Sequence, residues 1–219
     1  VSLMDDAIGE TLAALRQHKL NDAAGALQLY RQILTDDPAH VGARDALETW
    51  AKTGSPESAA AIEVLDPVLA QAGEHERRVA VREARLTIAT VAERSRLSAE
   101  VRAIFERYMG QPERAFMSAL KAFTDGLDRD VVKPELERLA ELTGSYEDLA
   151  EIYESTAQEL DENDEEMVPL LRRAAQLRQQ AGKNEDAVRV WKALLAKVPD
   201  DGQALDALGT LYETSKNAQ

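Results

Sequence analysis

The 219-residue sequence contains no cysteine. This absence excludes disulfides, thiolate nucleophiles and cysteine-ligated metal sites in these residues. The sequence also lacks any run of about 20 apolar residues, the length that a helix needs to span a bilayer. Its first residues, VSLMDDAIGE, lack the basic and apolar regions of a signal peptide. We therefore expect a soluble protein in a reducing compartment, the cytoplasm, although a targeting segment removed upstream would leave the same sequence.

Aromatic residues are scarce, at 5%, and basic residues are outnumbered, with 26 Lys and Arg against 40 Asp and Glu. The formal net charge is −14. A charge of this sign opposes binding to nucleic acids and anionic membranes, because both attract proteins through a positive field. We expect a basic or neutral protein or peptide partner, no nucleic acid and no insertion into a membrane.

The sequence is rich in helix-forming residues. Ala, Leu, Glu and Arg dominate, and they lose the least entropy in a helix. Apolar residues recur with the period of a helix and no stretch alternates with period two, which predicts an all-α fold. Stop signals divide the sequence into about twelve helical segments: 3–18, 22–36, 40–53, 56–72, 75–91, 95–109, 112–124, 129–143, 146–160, 165–181, 184–197 and 201–214.

Several of these boundaries have a local cause. Ser145 and Asp148 have the spacing of a capping box, and Pro56 and Pro112 stand where a first helical turn accepts proline. Three glycines follow predicted helix ends: Gly110, Gly144 and Gly182. The links between segments are short, so we expect neighbouring helices to be antiparallel.

Two distant segments share one spacing, a small residue, an aromatic four positions later and a proline eight positions after that. They are Ala26, Tyr30 and Pro38, and Ala187, Trp191 and Pro199. The small residue lets two helices approach, the aromatic fills the layer beside it, and the proline ends the helix because it cannot donate the next hydrogen bond. A single hairpin is too thin to bury its apolar face, so this spacing indicates stacked helical repeats.

These repeats resemble the tetratricopeptide repeat (TPR) family, whose 34-residue pattern has Leu-Gly and Tyr in a first helix and a small residue and an aromatic in a second helix, followed by Pro. The best matching positions are Leu205, Leu208, Gly209, Tyr212, Gly182, Ala187, Trp191 and Pro199. Further matches are Ala13, Ala14, Ala26, Tyr30 and Pro38, then Leu136, Gly144, Leu149 and Tyr153, and, with an offset of about one residue, Phe105, Gly110 and Ala115. The resemblance covers roughly two-thirds of the chain and implies an α-solenoid, a TPR-like superhelix of about twelve antiparallel helices.

A TPR-like array alternates first and second helices, and the sequence departs from this alternation once. Counting from the first hairpin makes 201–214 a second helix, but its Leu-Gly-x-x-Tyr pattern is that of a first helix. We place the irregularity at 39–75, as two first helices in succession with the second interrupted by Pro67, and expect a kink there. The prediction is a single array over 1–219 of about six hairpins, with 201–219 as an unpaired terminal helix.

No motif in the sequence indicates catalysis. The histidines, His18, His40 and His75, are isolated, and we expect them at the surface or at helix ends. There is no phosphate-binding glycine loop and no G-x-S-x-G motif. We expect no enzyme and no cofactor.

The segment DENDEE, 161–166, places acidic and amide residues where a calcium loop would begin. Glu166 stands where that loop needs glycine, and Arg172 stands where it needs a bidentate glutamate. We interpret the segment as a solvated link between helices and expect no metal site.

Charges are distributed unevenly. Residues 139–171 hold eleven acids and no Lys or Arg, whereas residues 77–114 hold nine arginines and five acids. On helix 75–91, Arg78, Arg82 and Arg85 share a face. This face is either an ordinary solvated surface or an anion-recognising patch that binds a partner, since guanidinium groups suit carboxylates.

The TPR resemblance also implies a binding surface lined by first helices. In one chaperone-binding subgroup a Lys and Asn pair holds a peptide carboxylate, but the matching positions here carry other residues: Thr11, Leu15, Arg172, Gln176, Asp206 and Thr210. That clamp is absent. The stripe of Arg172, Gln176, Gln179 and Gln180 is either a peptide-binding surface or an ordinary exposed helix face.

The last segment carries four large apolar residues, Leu205, Leu208, Leu211 and Tyr212, and no second helix follows to cover them. We expect a fragment of a longer bacterial repeat protein, or an end that another molecule covers. The favoured function is a non-catalytic scaffold that binds a partner segment on its concave surface. The alternatives are self-association through the terminal helix and a regulatory arm of an enzyme whose catalytic domain lies elsewhere.

Overall fold

The structure, a computed structural model, describes residues 3–18, 22–53, 55–161 and 163–217. Within these ranges the protein is all-α, with twelve α-helices, one π-helical turn and no strand. None of the described helices is both long enough and apolar enough to cross a membrane.

The helices group into two compact units, residues 1–111 and 112–219. The first unit contains α1 (Leu3–His18), α2 (Ala23–Asp36), α3 (Val41–Ala51), α4 (Ser58–Gln71), α5 (His75–Leu86), α6 (Val91–Ala103) and the π-helical turn (Ile104–Tyr108). The second contains α7 (Pro112–Thr124), α8 (Arg129–Thr143), α9 (Tyr146–Glu159), α10 (Met167–Gln180), α11 (Asn184–Lys197) and α12 (Gly202–Asn217). The sequence predicted one array, and its continuity across residues 111 and 112 stays a prediction.

In the first unit, the strongest packing joins consecutive helices into hairpins: α1 with α2, α3 with α4, and α5 with α6. Further contacts join helices two apart, such as α2 with α4 and α3 with α5. Leu47, Leu65 and Leu97 are buried in the shared core. The contacts of this unit thus join helices that are one or two apart in chain order. Such short-range packing is typical of helical repeats, because each hairpin buries its apolar face on the next.

The second unit follows the same plan. Its helices pack in chain order from α7 to α12, and α7 also contacts α9. Phe123, Tyr153 and Trp191 are almost fully buried, and the rings of Phe123 and Tyr153 lie 5.3 Å apart. The predicted stacking of antiparallel hairpins is therefore confirmed within each unit.

Most predicted helix boundaries agree with the structure to within two residues, and the largest difference lies between α5 and α6. The sequence placed helices at 75–91 and 95–109, whereas α5 ends at Leu86 and α6 begins at Val91. Thr90 causes this early start because its hydroxyl accepts a hydrogen bond from the Glu93 backbone N–H and caps α6.

The three predicted glycine ends are confirmed. Gly110, Gly144 and Gly182 have φ angles of 62°, 72° and 75°, in the left-handed region that glycine enters without strain. The capping box is wrong, because the Ser145 side chain caps no backbone N–H of α9. Its hydroxyl instead accepts a hydrogen bond from Thr143 at 2.9 Å.

The prolines behave differently from one another. Pro112 begins α7 as predicted, but Pro56 precedes the first residue of α4. Pro67 was expected to interrupt its helix, and this is wrong, because α4 continues across it to Gln71. The helix continues because its neighbours in the unit hold it: Leu65 and Leu69, on either side of Pro67, are each 1% exposed.

Candidate functional site

Four of the described helices begin two residues after a glycine with positive φ. The residues five and nine positions after that glycine are buried in every case. They are Ala115 and Ala119 after Gly110, Leu149 and Tyr153 after Gly144, Ala187 and Trp191 after Gly182, and Arg78 and Arg82 after Gly73. Three of these helices therefore place apolar residues at the two core positions, and α5 places two arginines there.

Arg78 and Asp66 form a bidentate pair between α5 and α4. Nε of Arg78 donates to Oδ1 of Asp66 at 2.8 Å, and Nη2 donates to Oδ2 at 2.9 Å. Only 8% of the Arg78 side chain is exposed. Two parallel hydrogen bonds fix both the distance and the angle between the groups, so this pair holds the two helices in register.

Arg82 extends the same network to α6. Its Nη1 donates to Oδ1 of Asp66 at 2.7 Å, and its Nε donates to Oε2 of Glu100 at 2.8 Å. Arg96 donates to the other oxygen of Glu100 at 3.0 Å. The resulting chain of ion pairs, which we call the arginine layer, comprises Asp66, Arg78, Arg82, Arg96 and Glu100 and links three helices.

Arg85 makes a separate set of contacts near the other end of α5. Its Nε and Nη2 donate to the two carboxylate oxygens of Glu93 at 2.8 and 3.0 Å. Its Nη1 donates to the backbone oxygen of Thr53 at 2.8 Å and to the hydroxyl of Ser58. Arg85 thus joins α5 to the start of α4 and the start of α6.

Two of these carboxylates, Asp66 and Glu93, are held in their charged forms. Burial opposes ionisation of Asp66, but the hydrogen bonds from Arg78 and Arg82 outweigh it and keep the pKa of this carboxyl below its usual value. The hydrogen bond from Arg85 likewise lowers the pKa of Glu93. Asp66 and Glu93 therefore stay ionised and paired with their arginines at neutral pH.

These contacts correct the sequence interpretation of Arg78, Arg82 and Arg85. The three do share a face of α5, but each is only 6–7% exposed. The face is neither a solvated surface nor a patch presented to an external anion, because carboxylates of the same unit occupy the guanidinium groups. The helix buries them because they stand in the register that its neighbours fill with apolar side chains.

A groove of about 410 Å³ lies beside the arginine layer. Its lining includes Ala59 and Pro67 of α4, Arg82 of α5, and Ala103 of α6. The π-helical turn supplies Tyr108, which is 58% exposed. The lining of the groove therefore combines the charged groups of the arginine layer with small apolar side chains and the exposed ring of Tyr108.

The π-helical turn fixes the position of Tyr108. The Met109 backbone N–H donates to the oxygen of Ile104 at 3.2 Å, which is the wider spacing of a π-turn. The guanidinium carbon of Arg78 lies 5.0 Å from the centre of the Tyr108 ring. The imidazole of His75 lies 5.3 Å from the same ring. A cation and an aromatic neighbour thus hold the tyrosine at the groove without burying it.

Exposed charged groups of both signs also line the groove. Glu63 lines it and is exposed. Arg96 also lines it, and 52% of its side chain is exposed. A bound segment would therefore meet an acid, a base and an aromatic ring within one site.

In the second unit, the predicted stripe on α10 is partly engaged inside the protein. Arg172 donates through Nη2 to Asp201 at the start of α12, which lowers the pKa of that carboxyl. Gln179 accepts a hydrogen bond from the indole N–H of Trp191 at 3.1 Å. Gln176 accepts a weaker one from Arg173 at 3.4 Å.

Other predicted features occupy the following places. His40 caps α3, its Nδ1 accepting from the Ala43 N–H at 3.1 Å, and His75 begins α5, so both stand at helix ends as expected. The side chain of His18 lies outside the described residues. In segment 161–166, Glu166 pairs with Arg129 at 3.2 Å, which ties this link to α8.

Sequence reasoning missed Asp66, Glu100 and Tyr108. The spacing from the preceding glycine could have found the two arginines, since Gly73 precedes Arg78 by the same five positions that separate Gly182 from Ala187. This spacing places Arg78 and Arg82 in the core, where buried guanidinium groups need acidic partners. The π-helical turn has no comparable signal in the sequence.

A search against protein-family models finds no match, and a search of curated proteins finds none. Among solved structures, the chain is similar to a tetratricopeptide repeat protein from Parabacteroides merdae, with a TM-score of 0.35 and 13% sequence identity, over 98% of this chain and 75% of that one. The helix contacts of this chain, and not this similarity, show its helical-repeat architecture.

Proposed function

We propose that this protein is a non-catalytic binding scaffold that takes a segment of a partner protein into the groove beside the arginine layer. The observation that carries the proposal is the exposed ring of Tyr108 in the lining of that groove. Exposed aromatic side chains that are held in place are the residues most enriched at binding interfaces. A tyrosine also loses little conformational entropy on binding when its position is already fixed.

The arginine layer supports the same proposal. Buried ion pairs add little net stability compared with a well-packed apolar layer, because desolvation offsets their attraction. The other hairpins show that this architecture accepts apolar residues at the positions of Arg78 and Arg82. The charged groups at these positions give the groove a polar surface of defined geometry. Such a surface suits recognition of a bound segment more than it adds to the stability of the fold.

The test is selection of binding peptides from a random displayed library, followed by measurement of dissociation constants with purified variants. Tyr108→Ala combined with Glu63→Arg should raise the dissociation constant of the selected peptides by about tenfold or more. Both residues are exposed, so the fold should survive. By contrast, Arg78, Arg82 and Arg85 are unsuitable for this purpose, because changing them would disturb the core.

Met117→Ala is the matched control, since Met117 is 57% exposed but lies in the second unit. It should leave binding unchanged. Peptides that bind the groove variant and the control equally well would show that the groove is not the site. The stripe of Arg172, Gln176 and Gln179 would then be the next surface to test, and its role in binding a partner stays a prediction.

A further inference from the structure

The charged side chains that line the groove beside the arginine layer are not all paired. Three arginines and three acids line it: Arg78, Arg82, Arg96, Glu63, Asp66 and Glu100. Each of the three arginines donates a hydrogen bond to Asp66 or Glu100. Glu63 makes no hydrogen bond or ion pair within the described part of the chain. The groove therefore contains one carboxylate without a counter-ion.

The helix that carries Glu63 turns it towards the groove. Ala59, Glu63 and Pro67 are spaced by four positions on α4, so they share one face of the helix, and all three line the groove. Glu63 is exposed. Asp66, three positions later, is occupied by the arginine layer. α4 thus contributes one carboxylate that is already paired and one that is free to accept hydrogen bonds from a ligand.

A segment that enters the groove removes water from the Glu63 carboxylate. This loss of hydration costs free energy unless a hydrogen-bond donor or an opposite charge replaces the water. A neutral segment without such a donor would leave this cost uncompensated. An acidic segment would also be repelled by a protein with a net charge of −14. A basic side chain compensates the carboxylate and is attracted by the charge of the whole molecule.

Among basic side chains, arginine fits this carboxylate best. A guanidinium group presents two parallel N–H donors to the two oxygens of a carboxylate, whereas an ammonium group acts as a point charge. The first unit already forms this bidentate pair twice, between Arg78 and Asp66 and between Arg85 and Glu93. Both oxygens of Glu63 are available for a third pair of the same kind.

The ring of Tyr108 is suited to the apolar part of the ligand and not to its charge. The guanidinium carbon of Arg78 already lies 5.0 Å from the centre of this ring, and the imidazole of His75 lies 5.3 Å from it. A second cation on the ring would be repelled by Arg78. The exposed part of the ring is available for aliphatic atoms, such as the methylene groups of an arginine side chain.

Building on the binding function proposed above, we propose that the groove recognises an arginine of the partner segment. The guanidinium group of this arginine pairs with both carboxylate oxygens of Glu63. Its methylene groups and the apolar neighbours in the segment pack on the ring of Tyr108. The partner is therefore a protein that exposes an arginine-containing segment.

The test uses the whole protein and two displayed libraries of short random peptides, which differ only in that one contains no Arg or Lys. Fluorescence anisotropy measures the affinity of the selected peptides for the wild-type protein and for Tyr108→Ala. A peptide whose dissociation constant rises by about tenfold with Tyr108→Ala binds in the groove. These groove binders should come from the library that contains Arg and Lys, and they should share an arginine.

A double-mutant cycle measures the contact with Glu63, with the tightest groove binder as the probe peptide. Citrulline in place of the shared arginine keeps the shape of the side chain and removes its charge, so the dissociation constant should rise by about tenfold. Glu63→Gln should cause a similar loss with the arginine peptide. The two changes together should cause little further loss, because either one already breaks the pair.

Glu83→Gln is the matched control. Glu83 is an exposed acid of α5 that makes no hydrogen bond or ion pair within the described residues and does not line the groove. This change removes the same charge from the same unit and should leave the affinity of both peptides unchanged. An equal loss with Glu63→Gln and Glu83→Gln would show that only the overall charge matters and would overturn the proposed contact.

Failure of this proposal can be told apart from failure of the binding function. Groove binders that contain no basic residue, or additive effects of citrulline and Glu63→Gln, would overturn the arginine contact and leave the binding function standing. If no peptide from either library loses affinity with Tyr108→Ala, the groove is not a binding site, and both proposals are wrong.

Discussion

Arg78 and Arg82 occupy positions at which three other helices of this protein carry Ala, Leu, Tyr or Trp. Asp66 and Glu100 offset the desolvation of the buried guanidinium groups, and their carboxylate oxygens lie 2.7–2.8 Å from guanidinium nitrogens. Asp66 is the common partner of both arginines, and 22% of its side chain is exposed. Asp66 therefore helps to compensate both buried cations, and Glu100 is a second carboxylate partner of Arg82.

Asp66→Asn should lower the free energy of unfolding by about 2–3 kcal/mol, because two buried guanidinium groups lose a charged acceptor. Urea unfolding measures the change. The matched control is Asp45→Asn, since 64% of the Asp45 side chain is exposed and its contact with Arg77 is 3.4 Å long. This control should change stability by less than about 0.5 kcal/mol.

The pH dependence of the same variant gives a second readout. The pKa of Asp66 is lower in the folded protein than in the unfolded chain, so its contribution to stability is fully present above the unfolded value of about 3.9. That contribution is lost as the pH falls through the lower folded value. The stabilities of wild type and Asp66→Asn should therefore begin to converge as the pH falls below about 4, and a constant difference down to pH 3 would contradict this role.

At the scale of the element, the turns between helices depend on glycines in the left-handed region. Gly182 ends α10 with φ at 75°, and the next helix begins two residues later. The same geometry at Gly73 sets the register that buries Arg78 and Arg82. The turn therefore determines which face of the following helix meets the core, and so decides the environment of those charges.

Gly182→Ala should destabilise the protein by about 1–2 kcal/mol, because an L-residue is strained at this φ. Gly209→Ala is the matched control, since Gly209 lies within α12 and its Cβ would meet nothing. That change should raise stability by about 0.5–1 kcal/mol through helix propensity. Thermal unfolding of the two variants should move the midpoints in opposite directions, and parallel shifts would refute the assignment.

At the scale of the whole molecule, the excess of acids governs what the protein attracts. In the second unit, some acids of segment 139–171 are neutralised by bases from outside the segment. Glu154 pairs with Arg178 at 2.9 Å and with Arg189 at 2.7 Å, and Glu147 pairs with Lys183. Other acids of the segment are exposed and add to the negative field that a partner meets first.

We expect no binding of duplex DNA at physiological salt up to about 100 μM protein, a range in which ordinary non-specific binders are detected. Electrophoretic mobility or anisotropy measures this. A variant with five exposed acids of the segment changed to lysine, Glu141, Glu151, Glu159, Asp161 and Glu165, alters the formal charge by ten and should bind detectably. Binding by the wild-type protein would contradict the electrostatic argument.

The sequence by itself determined the all-α class, most helix boundaries and the stacking of hairpins. It could do so because helical periodicity, proline and glycine act through local backbone geometry. The spacing of Ala187 and Trp191 even predicted their burial, since an apolar residue on the inner face of a repeat has no other favourable place. The expectation that four apolar side chains of the last helix lack cover is wrong for Leu208 and Leu211, which are each 8% exposed.

Only the tertiary structure decided the environment of the charged residues. The sequence placed Arg78, Arg82 and Arg85 on one helix face, but their partners lie on other helices and on the link after α3, up to 32 positions away along the chain. Whether a guanidinium faces solvent or a buried carboxylate depends on how those helices pack, because burial and long-range pairing have no local signature. The continuation of α4 through Pro67 and the position of Tyr108 were decided by the same packing.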